Sequence, residues 1–145
     1  MDLWLKANNP IQAIHTSAFA SSLPGNYVPY FQFAYNGSSV LRFDGGYNHL
    51  YLDIGSATGA WQHVAVTYDD SDDLVTTYLN GVFSNSATWP SAAGTLAFQV
   101  VKIGSNRDAS RGFDGLIDEV ELYKRPLSAG DIFAIYEAGA NRCKP

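Results

Sequence analysis

Residues 61–82, WQHVAVTYDDSDDLVTTYLNGV, decide the fold. Val64, Val66 and Tyr68 alternate with His63, Ala65 and Thr67, and Leu74, Thr76 and Tyr78 alternate with Val75, Thr77 and Leu79. Period two in β-branched and aromatic residues marks strands that fit a pleated surface. Asp69 to Asp73 supplies turn formers between the arms, and Asn80-Gly81 offers a second tight turn straight afterwards. With Asp69–Asp73 as the loop, Tyr68 opposes Leu74, Val66 opposes Thr76 and Val64 opposes Tyr78. Both faces of this hairpin are apolar, which places it inside a layered β structure.

Working outward, Leu3-Trp4-Leu5 reads as a strand, Ile11 to Thr16 as a short one and Ser17 to Asn26 as a loop. Tyr27 to Ala34 is an aromatic strand whose Pro29 favours an edge or a bulge. Asn36-Gly37 turns the chain into Val40 to Phe43, and Asp44-Gly45-Gly46 turns it into His49 to Ile54. Ser84 to Thr95 reads as a loop, Phe98 to Ile103 as a buried strand, Gly104 to Gly112 as a polar loop and Leu116 to Tyr123 as the last strand. The end is helical: Ser128 stands as N-cap with Asp131 three residues on, and Ile132, Ile135 and Tyr136 share a face. Gly139 is a natural residue to stop that helix.

At 145 residues the chain is one domain by length, and 46% apolar content supports a real core. A net charge of −5 with no basic cluster argues against nucleic acid as a partner. No apolar run reaches the roughly 18–20 residues that span a bilayer. Met1-Asp2 leads straight into strand-like sequence, with no signal peptide read there. Cys143 is the only cysteine, so no disulfide forms within the chain and zinc held by several thiolates is excluded.

The hairpin motif WQHVAVTYD followed by Thr77-Tyr78-Leu79-Asn80-Gly81 resembles the central hairpin of laminin G-like, concanavalin A-like lectin/glucanase jelly-roll domains. KIGS at Lys102–Ser105 and RGFDGLIDEVELYKRPLS at Arg111–Ser128 resemble later parts of the same family, in the family's order. The resemblance implies an all-β, two-sheet antiparallel jelly-roll sandwich with a short C-terminal helix over residues 1–140, and 141–145 as a linker-like tail. It also implies a non-catalytic recognition module, carbohydrate-binding and extracellular or at the cell surface, within a larger protein. Family members usually carry one strand before the Leu3-Trp4-Leu5 strand. Its absence here leaves that strand as an expected bare edge, open to homodimer pairing and to an alternative role as an adhesive protein–protein module.

The candidate sites follow from residue chemistry. A sugar needs an aromatic face and polar neighbours for its hydroxyls. Trp89 before a proline in a polar loop, Tyr47-Asn48, and Arg107, Asp108 and Arg111 supply those types, and Tyr27, Tyr30, Tyr35 and Tyr51 have the composition to line a sheet face. For each aromatic taken alone core packing is the better reading; Trp89 is the exception, because burial is not forced on a tryptophan before a proline in a polar loop. Calcium needs about six to eight oxygen ligands. The acidic tip at Asp69, Asp70, Asp72 and Asp73 is densest in them, and Asp44 with Asn48 is a loose match to the family's usual site. His15, His49 and His63 have no ligand spacing. Asp118-Glu119-Val120-Glu121 evokes the carboxylate run of retaining glucanases, which needs three acids on alternate strand positions. Position 117 is Ile and position 123 is Tyr, so the triad is incomplete, a hydrolase is the least favoured reading, and salt bridges to arginines such as Arg111 or Arg125 are the expected role.

Overall fold

A computed structural model describes residues 1–23, 26–46, 50–89 and 99–142. The decisive hairpin forms as β6 (Gln62–Asp69) and β7 (Leu74–Leu79). Its register differs by one residue from the sequence reading: Tyr68 opposes Val75, Val66 opposes Thr77 and Val64 opposes Leu79. The tip is the cause. Asp69 joins the ladder opposite Leu74, and Asp73 takes a left-handed φ of 52°, so the loop is one residue shorter than expected. A one-residue slip exchanges the faces of one arm. Here it gathers Val64, Val66 and Val75 in the sandwich interior and leaves Ala65 and Tyr78 on the opposite face. Asn80-Gly81, with φ of 50° and 75°, is the two-residue turn into β8 (Val82–Thr88).

β1 (Asp2–Ala7) and β10 (Gly115–Glu121) complete a first five-stranded sheet in the order β10-β1-β6-β7-β8. The second sheet, order β5-β4-β3-β2-β9, holds β2 (Ser17–Leu23), β3 (Asn26–Tyr35), β4 (Val40–Gly45), β5 (Leu50–Ser56) and β9 (Val100–Ile103). All pairings between named strands are antiparallel, giving the jelly-roll sandwich the sequence implies. Leu3, Leu5, Phe19, Phe33, Phe43 and Val64 are among the side chains that fill it.

Several expectations are corrected. β1 is no edge: it pairs with β6 on one side and β10 on the other, so the backbone groups expected to recruit a second copy are already satisfied. Residues 11–16 are not a strand. Gln12 pins that segment instead, its amide donating to the carbonyls of Asn9 at 3.1 Å and Asp114 at 3.0 Å. The serine-rich stretch read as a loop is β2, where Phe19 points into the core. β8 occupies the first part of the segment read as a loop after Ser84. β9 is an exposed edge rather than a buried strand, with Val101 43% and Ile103 59% accessible.

Helix α1 (Ala129–Ala140) starts on a complete capping box, Ser128 Oγ accepting from Asp131 N and the Asp131 carboxylate accepting from Ser128 N. Leu127 and Ile132 pack on Ala65 and Tyr78, so α1 covers the outer face of the first sheet. Trp4 stacks on Tyr136 at 5.7 Å between ring centroids. Gly139 lies inside the last turn, with Asn141 as C-cap, because a Cβ there would sit 2.5 Å from Trp4 Nε1. Ala normally stabilises a helix interior by about 1 kcal/mol over Gly. Gly139→Ala should instead destabilise this chain by about 1–3 kcal/mol in urea unfolding, through overpacking on the indole; a stabilised variant would show that the helix does not press on Trp4.

Tyr35 is buried in the core with no hydrogen-bond partner for its hydroxyl among the described residues, and burial pushes its pKa up to about 12. An unfolded tyrosine ionises near 10, so the folded chain holds this proton more tightly. That contribution is complete below pH 10 and is lost as pH rises towards 12. Tyr35→Phe is expected to change stability at neutral pH by no more than about 1 kcal/mol and to reduce the alkaline loss. Urea melts that fall equally steeply with pH in both proteins would contradict it.

Candidate functional site

The outer faces of the two sheets differ. α1 lies over the first, whereas among the described residues no helix covers the second. Across the second runs a row with one residue from each strand: Lys102, Ala20, Gln32, Asp44 and Tyr51. Ser22 and Tyr30 flank it on one side, and Ala34, Arg42 and Asp53 on the other. The residues that β2 contributes to these rows, Ala20 and Ser22, are small.

Asp44 is fully buried at the centre. Arg42 Nε makes ion-pair contact with its Oδ1. Gln32 Nε2 donates to Oδ2 at 3.0 Å, and His15 Nδ1 lies 2.8 Å from the same oxygen. A buried carboxylate is tolerable only when paired and hydrogen-bonded, and this one is both. His15 reaches the site from the turn before β2 with a left-handed φ of 62°. Its backbone N–H donates to the Tyr35 carbonyl at 2.8 Å, so main chain and ring are both held in that costly conformation.

Rings and cations stack around this centre. The Arg42 guanidinium lies 4.4 Å over the Tyr51 ring, and Arg107, from the loop after β9, lies 4.1 Å over Tyr30. Burial raises the Tyr30 hydroxyl pKa and Arg107 opposes it, with Asp44, Tyr51 and Arg42 also acting on that group. Seven side chains from five segments (the turn before β2, β3, β4, β5 and the loop after β9) are linked in this way. Tyr51 is 45% exposed and His15 is half-buried beside the buried Asp44, whereas the half-buried Lys102 stands at the far edge of the sheet on β9 and the half-buried Arg107 in the loop after it. Gln32 Oε1 is buried with no hydrogen-bond partner among the described residues.

A family model described as the concanavalin A-like lectin/glucanases superfamily matches residues 1–133. The chain belongs to that superfamily. No curated protein matches it. Among solved structures, the concanavalin A-like fold recurs in the CBM40 of the Ruminococcus gnavus IT-sialidase bound to α2,3-sialyllactose. The TM-score is 0.74 at 16% identity, covering 93% of this chain and 80% of that one. Domain 4 of a GH43 extracellular arabinanase from Geobacillus stearothermophilus, in complex with arabinotriose, matches at 25% identity and TM-score 0.68, covering 93% and 64%. A heptameric SAP-like pentraxin from Limulus polyphemus matches at 13% identity and TM-score 0.72, covering 93% and 67%.

The residues singled out in the sequence separate on this concanavalin A-like frame. Arg107 and Asp44 come together on the outer face of the second sheet, and Tyr30 and Tyr51 do line it. Tyr35 is core. Tyr47, Asn48, His49 and the tail from Cys143 lie outside the described residues, and so does the Tyr27 side chain. Asp44 is no open calcium ligand, because its oxygens already face Arg42, Gln32 and His15. At the acidic tip, Asp69 is held low by bonds from the Ser71 hydroxyl and backbone, and Asp73 accepts from the Tyr68 hydroxyl at 2.8 Å. No group of three His, Cys, Asp or Glu side chains is placed to share a metal among the described residues. Asp108 is turned onto Ser110, whose hydroxyl and backbone hold its pKa low. Arg111 is exposed in the same loop, which Asn106 closes by accepting from Ser110 N at 3.0 Å and Arg111 N at 3.2 Å.

Trp89 needs correction. It is 1% exposed and meets Phe43 and Tyr68 edge-on at 5.6 and 6.1 Å, so it is core and not a surface platform. It helps floor a cavity of about 360 Å³ at one end of the sandwich, with Tyr68, Leu122 and Arg125 at its rim. The carboxylate run is also dispersed. Glu119 takes φ 47° in a bulge, where Asp118 and Glu121 stand opposite Trp4 and Asp2. Glu119 pairs with Arg142 at 3.3 Å, and the Tyr123 hydroxyl donates to Glu121.

Sequence reasoning missed His15 and Gln32. The signal for Gln32 was present in its alternation with Phe31 and Phe33, which puts a polar side chain on the face opposite two buried rings. Asp44→Asn would leave Arg42 buried without its counter-charge. We expect a loss of about 3–5 kcal/mol in urea unfolding. A change below about 1 kcal/mol would mean that the cluster does not depend on the acid.

Proposed function

We propose that this chain is a non-catalytic carbohydrate-binding module whose ligand rests on the outer face of the second sheet. One observation carries the reading. An exposed aromatic ring, Tyr51, stands beside polar side chains that Asp44 and the strands hold in place. A sugar offers an apolar ring face for such a surface and hydroxyls for its rim, and a prearranged rim saves ordering entropy on binding. The carbohydrate complexes of the arabinanase domain and the CBM40 support the choice of ligand class. The extracellular arabinanase supports a role outside the cell, as one module of a larger protein.

The test is a glycan array, run with calcium and again with a chelator, using the native chain and Tyr51→Ala. We expect selective binding that weakens about tenfold or more without the Tyr51 ring, with circular dichroism unchanged. Binding that ignores the substitution would move the site away from this face, and silence on every glycan would end the carbohydrate reading.

A further inference from the structure

His15 enters the Asp44 cluster from outside the sheet and is held twice over. Its left-handed backbone, φ 62°, is fixed by the bond from its N–H to the Tyr35 carbonyl, and its ring by Asp44. Such a conformation costs free energy in any residue but glycine, and outliers of this kind gather where a function needs one fixed side chain.

The neighbours of the ring set its hydrogen bonding. Nδ1 lies 2.8 Å from Asp44 Oδ2 and 3.3 Å from Arg42 Nη2. The shorter contact is to a carboxylate, which only accepts, so Nδ1 carries the proton and donates. Arg42, a pure donor, finds its acceptor in Asp44 and not in the ring. The neutral imidazole is then left with a bare lone pair at Nε2. That atom has no protein partner among the described residues, and it is not shut away from water as the unpaired nitrogens of His63 are. The side chain is 23% accessible. Its ring lies 6.4 Å from that of Tyr51, close enough for one sugar residue to touch both.

The exposed charge at this corner is acidic. Asp53 follows Tyr51 on the same face of β5, opposite Arg42, and it is exposed, whereas Arg42 is buried and paired with Asp44. An acceptor nitrogen near an exposed carboxylate calls for hydrogen-bond donors without negative charge. A sugar hydroxyl meets that requirement and a sugar carboxylate does not.

Resting on the carbohydrate reading above, we infer that His15 is a specificity-determining residue of this site. Its Nε2 accepts a hydrogen bond from one hydroxyl of a neutral sugar, and Asp44 holds the tautomer that leaves Nε2 free to accept.

The experiment joins calorimetric titration to nitrogen NMR of the imidazoles near pH 8, where the histidine side chain is ordinarily neutral. It uses the native chain and His15→Asn. Asparagine tolerates the left-handed backbone and keeps a short donor towards Asp44, but it has no Nε2. The probes are lactose, arabinotriose, cellotriose and 3′-sialyllactose. The His15 ring, assigned through its bonds to the backbone, should show a protonated Nδ1 and a bare Nε2. At least one neutral sugar should bind and move that Nε2 resonance, so the native chain alone gives an answer where the variant fails to fold. The same sugar should bind folded His15→Asn about three- to tenfold more weakly, the worth of one hydrogen bond. One monodeoxy analogue of it should lose that factor against the native chain and nothing further against His15→Asn, a match that a merely structural role would not give. If a neutral sugar binds with Nε2 unmoved, or binds both proteins equally, the inference is wrong and the carbohydrate reading stands. A proton found on Nε2 in place of Nδ1 overturns the inference in the same way, and so does binding of sialyllactose alone. If none of the four binds, the inference is wrong, and the glycan array decides the carbohydrate reading separately.

Discussion

The central hairpin has two apolar faces, and each must be hidden from water. One face of β6 and β7 finishes the sandwich interior with Val64, Val66 and Val75, and the other presents Ala65 and Tyr78. Burial stabilises by about 25 cal/mol per Å² of apolar surface, so a bare second face would be costly. α1 supplies the cover, with Leu127 and Ile132 on Ala65 and Tyr78 and Gly139 against Trp4. This allocates the molecule's surfaces. The helix goes to the first sheet, and the second sheet, whose hydrophobic face is already used, keeps its polar face for other work.

That polar face is unusual for a sheet exterior because so much of it is buried. Gln32, Arg42 and Asp44 are largely hidden under one another and under His15. A buried carboxylate acts as an anchor here: its charge fixes Arg42, its second oxygen fixes Gln32 and His15, and those groups position Tyr51. The arrangement trades some folding free energy for a rigid polar surface, the exchange expected where recognition rather than stability sets the sequence.

Much of the fold was legible from residues 61–82, since a double-faced apolar hairpin requires layers on both sides. Its register was not, because Asp69–Asp73 offers acidic turn formers at every position and only the backbone conformation of Asp73 decides which residues stay in the ladder. β1 looked like an edge because strand order is a long-range property: its partner β10 lies more than a hundred residues away in sequence. Gly139 read as a stop because local propensity cannot see the Trp4 indole. The site was legible in pieces. Tyr30, Tyr51, Arg107 and Asp44 were singled out, but their convergence depends on which residue faces which across four strand pairings. Trp89 misled for a related reason: a polar neighbourhood in sequence says little about a side chain that tertiary packing turns inward.

The carboxylate run in β10 shows how such a pairing decides chemistry. On a regular strand, Glu119 and Glu121 would share a face and resemble the acid pair of a retaining hydrolase, which needs carboxyls about 5–5.5 Å apart across a cleft. The bulge at Glu119 breaks that alternation, so that Asp118 and Glu121 stand opposite Trp4 and Asp2 on the strand beneath α1. One acid is then occupied with Arg142 and another with the Tyr123 hydroxyl. Glu119 and Glu121 are held by local partners on an edge strand of the first sheet, while the cluster around Asp44 stands on the second. The bulge thus turns a motif that resembles catalysis into a fastening for the chain around the end of the helix.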